Sequence, residues 1–135
     1  MDKRSVCRTS LAREIDLLLR LCHPHIVRVF RIVECTTWCV IEMELTKCGD
    51  LVDYLHGRGG GLPEAEARFL YRQLCQAVSY CHSVGVVHRD IKCDNILLTE
   101  SMNIKLGGKS SFCTPCCVLQ FDYWLQLSIL LLIFI

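Results

Sequence analysis

An α+β fold is predicted from three features of the sequence. Two segments, 10–22 and 63–85, carry apolar residues at helical spacing. Between them lie two β-branched and aromatic runs, HIVRVFRIVE and TTWCVIEMEL, that read as strands. Further on, two short apolar runs flank the polar turn TESMN. At 135 residues the chain has length for one ordinary domain and not for two.

The elements follow in order. In SLAREIDLLLRLC, Leu11, Ile15, Leu18, Leu19 and Cys22 form one helical stripe. Thr9 or Ser10 supplies an N-cap. His23-Pro24 ends this helix, because the residue before a proline is pushed out of the helical region. After the two strands, TKCGD reads as a linker and LVDYLHGRGGG as a short helix that runs out in glycines. Pro63 fits the first turn of the second long helix, with Glu64 and Glu66 complementing its positive end. Its stripe is Leu70, Leu74, Ala77, Val78 and Cys81, and it ends near Gly85. Val86-Val87 is a short apolar run, and 96–98 with 104–106 make a small hairpin around TESMN. The sequence carries no internal repeat. From Gly107 the texture turns small and polar, then strongly apolar in VLQFDYWLQLSILLLIFI.

Composition narrows the classes. A hydrophobic content of 52% predicts a buried core, and a net charge of +1 argues against binding nucleic acid. Cysteines number eleven, and Cys22, Cys39, Cys75 and Cys81 sit in apolar runs where a free thiol packs as a small hydrophobe. The opening MDKRSVCRTS lacks the apolar core of a signal peptide, so a reduced, cytoplasmic setting is expected. CTPCC, at 113–117, has a CxxC spacing without the second pair or histidines that complete a zinc site.

The chemistry concentrates in GVVHRDIKCDNILL. Phosphoryl transfer to a hydroxyl needs a carboxylate to accept or orient the hydroxyl, a cation to offset the phosphate charge, and an oxygen ligand for magnesium. HRDIKCDN supplies one of each, Asp90, Lys92 and Asn95, at H-R-D-x-x-x-x-N spacing. Five identities at fixed spacing arise by chance in such a chain with odds on the order of one in ten thousand. Singly, Asp90 reads as a turn residue, Lys92 as a solvated charge and Asn95 as a cap.

On HRDIKCDN, YCHSVGVVHRD and NIKL, the chain resembles a eukaryotic serine/threonine protein kinase domain. It is most similar to the calmodulin-dependent-kinase group and, within it, the testis-specific serine kinases. The resemblance implies a partial protein-kinase-like fold over 1–106, comprising helix C, strands 4 and 5, the hinge, helices D and E, the catalytic loop, and strands 7 and 8. An unrelated hydrophobic tail over 107–135 follows. It implies ATP as phosphoryl donor, Mg2+ as metal, and a protein serine or threonine as acceptor. Asp90 and Lys92 would be catalytic, and Asn95 would also hold the metal. Glu14 falls where helix C pairs with an active-site lysine; its other reading is a solvated helix charge. Met43 takes the gatekeeper position, and the Glu44 carbonyl and Thr46 N–H would meet adenine. Asp50 would face the ribose or else cap the following helix. Leu97 would floor the adenine or simply pack in the core. His88 would brace the loop, and Arg89 would greet an activation-loop phosphate.

Several parts of that machinery are missing from the sequence. No G-x-G-x-x-G occurs, and the glycines of GRGGG at 57–61 read as a turn. Lys3 lies too close to the first helix to be the lysine that pairs with Glu14. The resemblance puts a metal-binding aspartate at position 108, yet the sequence reads Gly107-Gly108-Lys109-Ser110, and Asp122 stands in an apolar context. The expectation is a kinase fragment, truncated at both ends and inactive alone, whose exposed apolar faces a protein partner would cover. Other readings are a non-catalytic, pseudokinase-like interaction module and a tail-anchored membrane protein. For the latter, Asp122 interrupts any full-length span. Its cost of about 2.5–3.5 kcal/mol offsets much of the roughly 4–7 kcal/mol that the tail's aliphatic and Phe side chains contribute.

Overall fold

A computed structural model of the protein describes residues 16–34 and 39–108. The N-cap at Thr9 or Ser10, Lys3, Glu14, the CxxC spacing, Asp122 and the apolar tail lie outside the described residues. Residues 16–20 are helical, and the Leu21 N–H still bonds the Leu17 carbonyl at 3.2 Å before His23-Pro24 turns the chain.

Strands β1 (Val29–Glu34) and β2 (Cys39–Met43) pair antiparallel, with Ile32 opposite Ile41 and a register shift between Val29 and Arg31. Both are shorter than the β-rich runs that predict them. Residues 25–27 belong elsewhere, because a second hairpin claims the backbone of His25 and Val27. That hairpin is β3 (Ile96–Leu98) with β4 (Ile104–Leu106). The Val27 N–H donates to the Leu106 carbonyl at 3.0 Å, and the Leu106 N–H donates to the His25 carbonyl at 2.8 Å. One short stretch therefore ties the two small sheets together.

Helix α1 (Leu51–Gly57) starts on Asp50, whose Oδ1 accepts the Asp53 N–H at 2.9 Å. Helix α2 (Glu64–Ser83) buries Ala67, Leu70, Leu74, Ala77 and Cys81 at helical spacing, and that stripe faces the β3–β4 hairpin. It ends in a glycine-dependent turn. Gly85 has φ +72°, the Val86 N–H reaches the Cys81 carbonyl at 2.8 Å, and the Gly85 N–H reaches the His82 carbonyl at 3.0 Å. Ile96, Leu98, Ile104 and Leu106 are buried in the same core, while Leu97 and Lys105 alternate away from it.

Two cysteines expected to pack as hydrophobes do not: Cys22 and Cys75 are exposed thiols. Cys75 follows Leu74 by one residue, so the helix rotates it off the buried stripe. Cys81 fits its expectation, and burial pushes its thiol up to about 11. Among the described residues no helix is long and apolar enough to cross a membrane. Phe30, Val40, Leu45 and Phe69 are large apolar side chains left exposed.

One buried polar side chain joins α2 to the hairpin. Gln73 Oε1 accepts the Ile104 N–H at 2.8 Å, and Gln73 Nε2 donates to Asn103 Oδ1 at 2.8 Å. Gln73→Leu leaves the buried Ile104 N–H without that acceptor, at a cost of about 1–3 kcal/mol. The urea midpoint should fall accordingly, and an unchanged midpoint would show that the bond contributes nothing.

Candidate functional site

The loop after α2 is anchored by apolar and polar contacts together. Val86 and Val87 are buried, and His88 beside them is 2% exposed. The Asp90 N–H donates to His88 Nδ1 at 3.3 Å, which assigns the ring proton to Nε2, and Nε2 donates to the Gly107 carbonyl at 2.7 Å. Burial holds the His88 pKa below its ordinary value, against the opposing pull of the Gly107 carbonyl and the Asp90 charge. Arg89, with φ +64°, turns the left-handed corner that aims the Asp90 N–H back at the imidazole.

Beyond that corner three side chains converge. Lys92 Nζ lies 3.1 Å from Asp90 Oδ2, and Asn95 Nδ2 donates to the same oxygen at 2.9 Å and to the Asp90 carbonyl at 2.7 Å. The Lys92 contact first, and the Asn95 bond second, hold the Asp90 carboxyl below the usual aspartate value. A single 3-10 turn, Cys93–Asn95, makes the geometry possible, because it folds Asn95 back over Lys92 and Asp90. The Asn95 N–H closes that turn on the Lys92 carbonyl at 2.9 Å.

Asn95 also faces a cleft of about 210 Å³. Its walls are apolar side chains from both small sheets and the first helix, among them Leu21, Val29, Ile41, Met43, Leu97 and Leu106. Asp94, Asn95, Gly107 and Gly108 also line it. Gly107 is closely packed: a Cβ there would meet Val27 Cγ2 at 3.2 Å and Leu97 Cδ1 at 3.4 Å, so those side chains would have to give by a few tenths of an ångström. Its N–H donates to the Asn95 carbonyl at 2.8 Å, so the end of β4 and the 90–95 loop are one backbone unit.

Of the residues singled out in the sequence, Met43, Leu97 and Asn95 line the cleft, and Asp90 and Lys92 join it through Asn95. Glu44, Thr46 and Asp50 do not line it among the described residues. Asp50 is the cap of α1 and bridges Leu97, the capping alternative in its sequence reading. The Glu44 side chain turns away toward Lys105, whose Nζ lies 2.9 Å from Oε1 and 3.0 Å from Oε2, and Oε2 also accepts the Arg28 N–H at 3.2 Å. Burial pushes the Glu44 carboxyl up, but the Lys105 and Arg28 bonds outweigh it and hold it below the usual value. Sequence reasoning missed this brace, and it missed Asp94 at the cleft. A lysine between two buried residues of NIKL was the available signal for the first, and adjacency to Asn95 for the second.

The comparisons with known proteins agree with the geometry. A family profile described as "Protein kinase domain" matches residues 1–108. NUAK family SNF1-like kinase 1 of Mus musculus is 45% identical over 97 residues, covering 72% of this chain and 15% of that protein. NUAK family SNF1-like kinase 2 of Homo sapiens is 46% identical over 97 residues, again 72% of this chain and 15% of the relative. The chain thus spans a small part of the length of the curated relatives it matches. A family profile over most of the chain, near-half identity to two kinases, and a polar cluster hinged on Asn95 at an apolar cleft lead to one assignment: the chain belongs to the serine/threonine protein kinase family.

Proposed function

We propose that this chain is a piece of an enzyme that transfers the γ-phosphoryl group of ATP to a protein serine or threonine in the cytoplasm, and that the piece does not carry out the transfer alone. The observation that carries the reading is the Asp90–Lys92–Asn95 cluster set against an apolar cleft of about 210 Å³. In this reading Asp90 orients and deprotonates the acceptor hydroxyl, Lys92 offsets charge on the moving phosphoryl group, and Asn95 holds both in register. Met43 takes the gatekeeper position and Leu97 the floor beneath the adenine, and the Glu44 carbonyl and Thr46 N–H belong in the same reading to the hinge that follows β2. Glu14, outside the described residues, belongs to the same reading as partner of a lysine.

The fit to the expected ligands divides. The apolar walls suit a flat heterocycle, which buries its faces between aliphatic side chains. Magnesium does not fit the described residues. It demands near-octahedral oxygen ligands, position 108 is a glycine without a carboxylate, and among the described residues no group of three His, Cys, Asp or Glu is placed to hold a metal.

Loss of one transition-state donor already slows such chemistry by about a hundredfold to a thousandfold. Here several groups are missing together, so the remaining base has no positioned phosphate to work on. Purified chain incubated with radiolabelled ATP, magnesium and a generic protein acceptor should transfer no more label than its Asp90→Ala variant. Transfer above that variant would overturn the claim of inactivity.

A further inference from the structure

Strand β2 has one edge that the described residues leave open. Among them its sheet holds two strands, β1 and β2. The Glu44 N–H donates to the Arg28 carbonyl at 2.8 Å, and backbone groups alternate in direction along a strand. Val40 and Glu42 therefore bond toward β1, opposite Val33 and Arg31. Ile41 and Met43 turn their N–H and C=O groups to the far side, where no described residue meets them. The register irregularity between Val29 and Arg31 falls on β1. Without an extra residue of its own, β2 is a regular template for an added strand. The Ile41 and Met43 side chains line the apolar cleft, and Met43 is exposed there.

Beyond the described residues the sequence holds a segment of matching pattern. In LQFDYWLQLSI, 119–129, every odd position is apolar: Leu119, Phe121, Tyr123, Leu125, Leu127 and Ile129. Even positions carry the polar Gln120, Asp122, Gln126 and Ser128, with Trp124 the exception. That is the period of a strand with one buried face. At the roughly 100° per residue of a helix, the same four polar residues would scatter around the axis. We propose that 119–129 adds to the open edge of β2 as a further strand, its odd side chains continuing the apolar face of Ile41 and Met43. Gly108 lines the same cleft as those two residues, and the ten residues 109–118 span up to about 33–36 Å, so the segment reaches the edge. Asp122 takes the wet face in this arrangement. Trp124 stands on the side where Val40 is exposed. Main-chain bonds supply the affinity, and the alternation fixes which face is buried.

The test is amide hydrogen exchange, read residue by residue by NMR on the full chain. An open edge lets the Ile41 and Met43 amides exchange freely, whereas β1 holds those of Val40 and Glu42. With 119–129 in place, Ile41 and Met43 should exchange at least about tenfold more slowly than unpaired amides. Phe121→Asp combined with Leu125→Asp should undo that protection by at least about tenfold and leave Val40 and Glu42 within about twofold. Gln120→Lys combined with Gln126→Lys, on the wet face, should change neither pair. Fast exchange at Ile41 and Met43 in the unchanged chain would overturn the proposal, as would slow exchange that survives the double Asp variant. Protection that rises with protein concentration, alongside a dimer in sedimentation, would give the edge to a second copy and overturn it too. Fast exchange together with binding to phosphatidylcholine vesicles would give the segment to a lipid surface, with the same consequence. Val40 and Glu42 report folding, and the odd-against-even comparison in the unchanged chain stands even if the variants fold poorly.

Discussion

Leu106→Ala is expected to cost about 3–5 kcal/mol and to abolish a cooperative unfolding transition. Leu106 is fully buried, at 0% exposure, in the cluster that joins α2, α1 and the β3–β4 hairpin. Its side chain also reaches the cleft wall, and its backbone holds residues 25–27 against the hairpin. A truncation there removes buried methyl groups and leaves a void at the junction of three elements. Small domains have roughly 5–15 kcal/mol of stability in all, so such a loss is a large share of it. Leu106→Met, which nearly conserves volume, should cost less than about 1.5 kcal/mol. Urea denaturation followed by far-UV circular dichroism separates the two variants. Equal midpoints for Ala and Met would mean that the Leu106 side chain is not packed as described.

Most of this architecture is legible in the sequence where a single period controls it. Helix α2 follows directly from the spacing of Leu70, Leu74, Ala77 and Cys81, and Gly85 marks its end because only a left-handed residue closes that turn. The β3–β4 hairpin is equally plain, since two apolar triplets around TESMN have no other way to bury both sides. The strand limits were not legible. Residues 25–27 run on into β1 with the same apolar, β-branched character, and their diversion to Leu106 depends on a pairing partner about eighty residues away along the chain. Asp90, Lys92 and Asn95 were readable because they fall within six residues and one turn brings them together. The Glu44–Lys105 brace was not, because it joins residues 61 apart, each of which reads alone as a solvated charge. Asp50 carried two readings, and the cap of α1 is the one with a hydrogen bond behind it.

The contact between Gly107 and His88 gives the cleft a dependence on pH. His88 is buried and neutral, with Nε2–H donating to the Gly107 carbonyl and Nδ1 accepting from the Asp90 N–H. Protonation would place a second donor at Nδ1, facing the Asp90 N–H, so acid breaks the bond between His88 and that N–H. Burial lowers the folded-state pKa below the unfolded value of about 6.5, and the unfolded chain therefore binds the proton more readily. The stability that follows is complete above about pH 6.5 and is lost as the pH falls through the lower, folded pKa. One such proton changes stability by at most about 1.4 kcal/mol per pH unit. His23, lowered by burial and by the charges of His25 and Lys105, contributes with the same sign. The carboxylates of Asp90, Glu44 and Glu66, all held low, add their loss only further into acid, below about pH 4.5. Urea midpoints for the chain should fall between pH 7 and pH 5, and His88→Gln should flatten part of that fall. His88→Ala should cost roughly 2–4 kcal/mol at neutral pH, because the Gly107 carbonyl and the Asp90 N–H both lose their partner. An NMR titration that placed the His88 ring at or above about 6.5 would reverse the sign and refute the account.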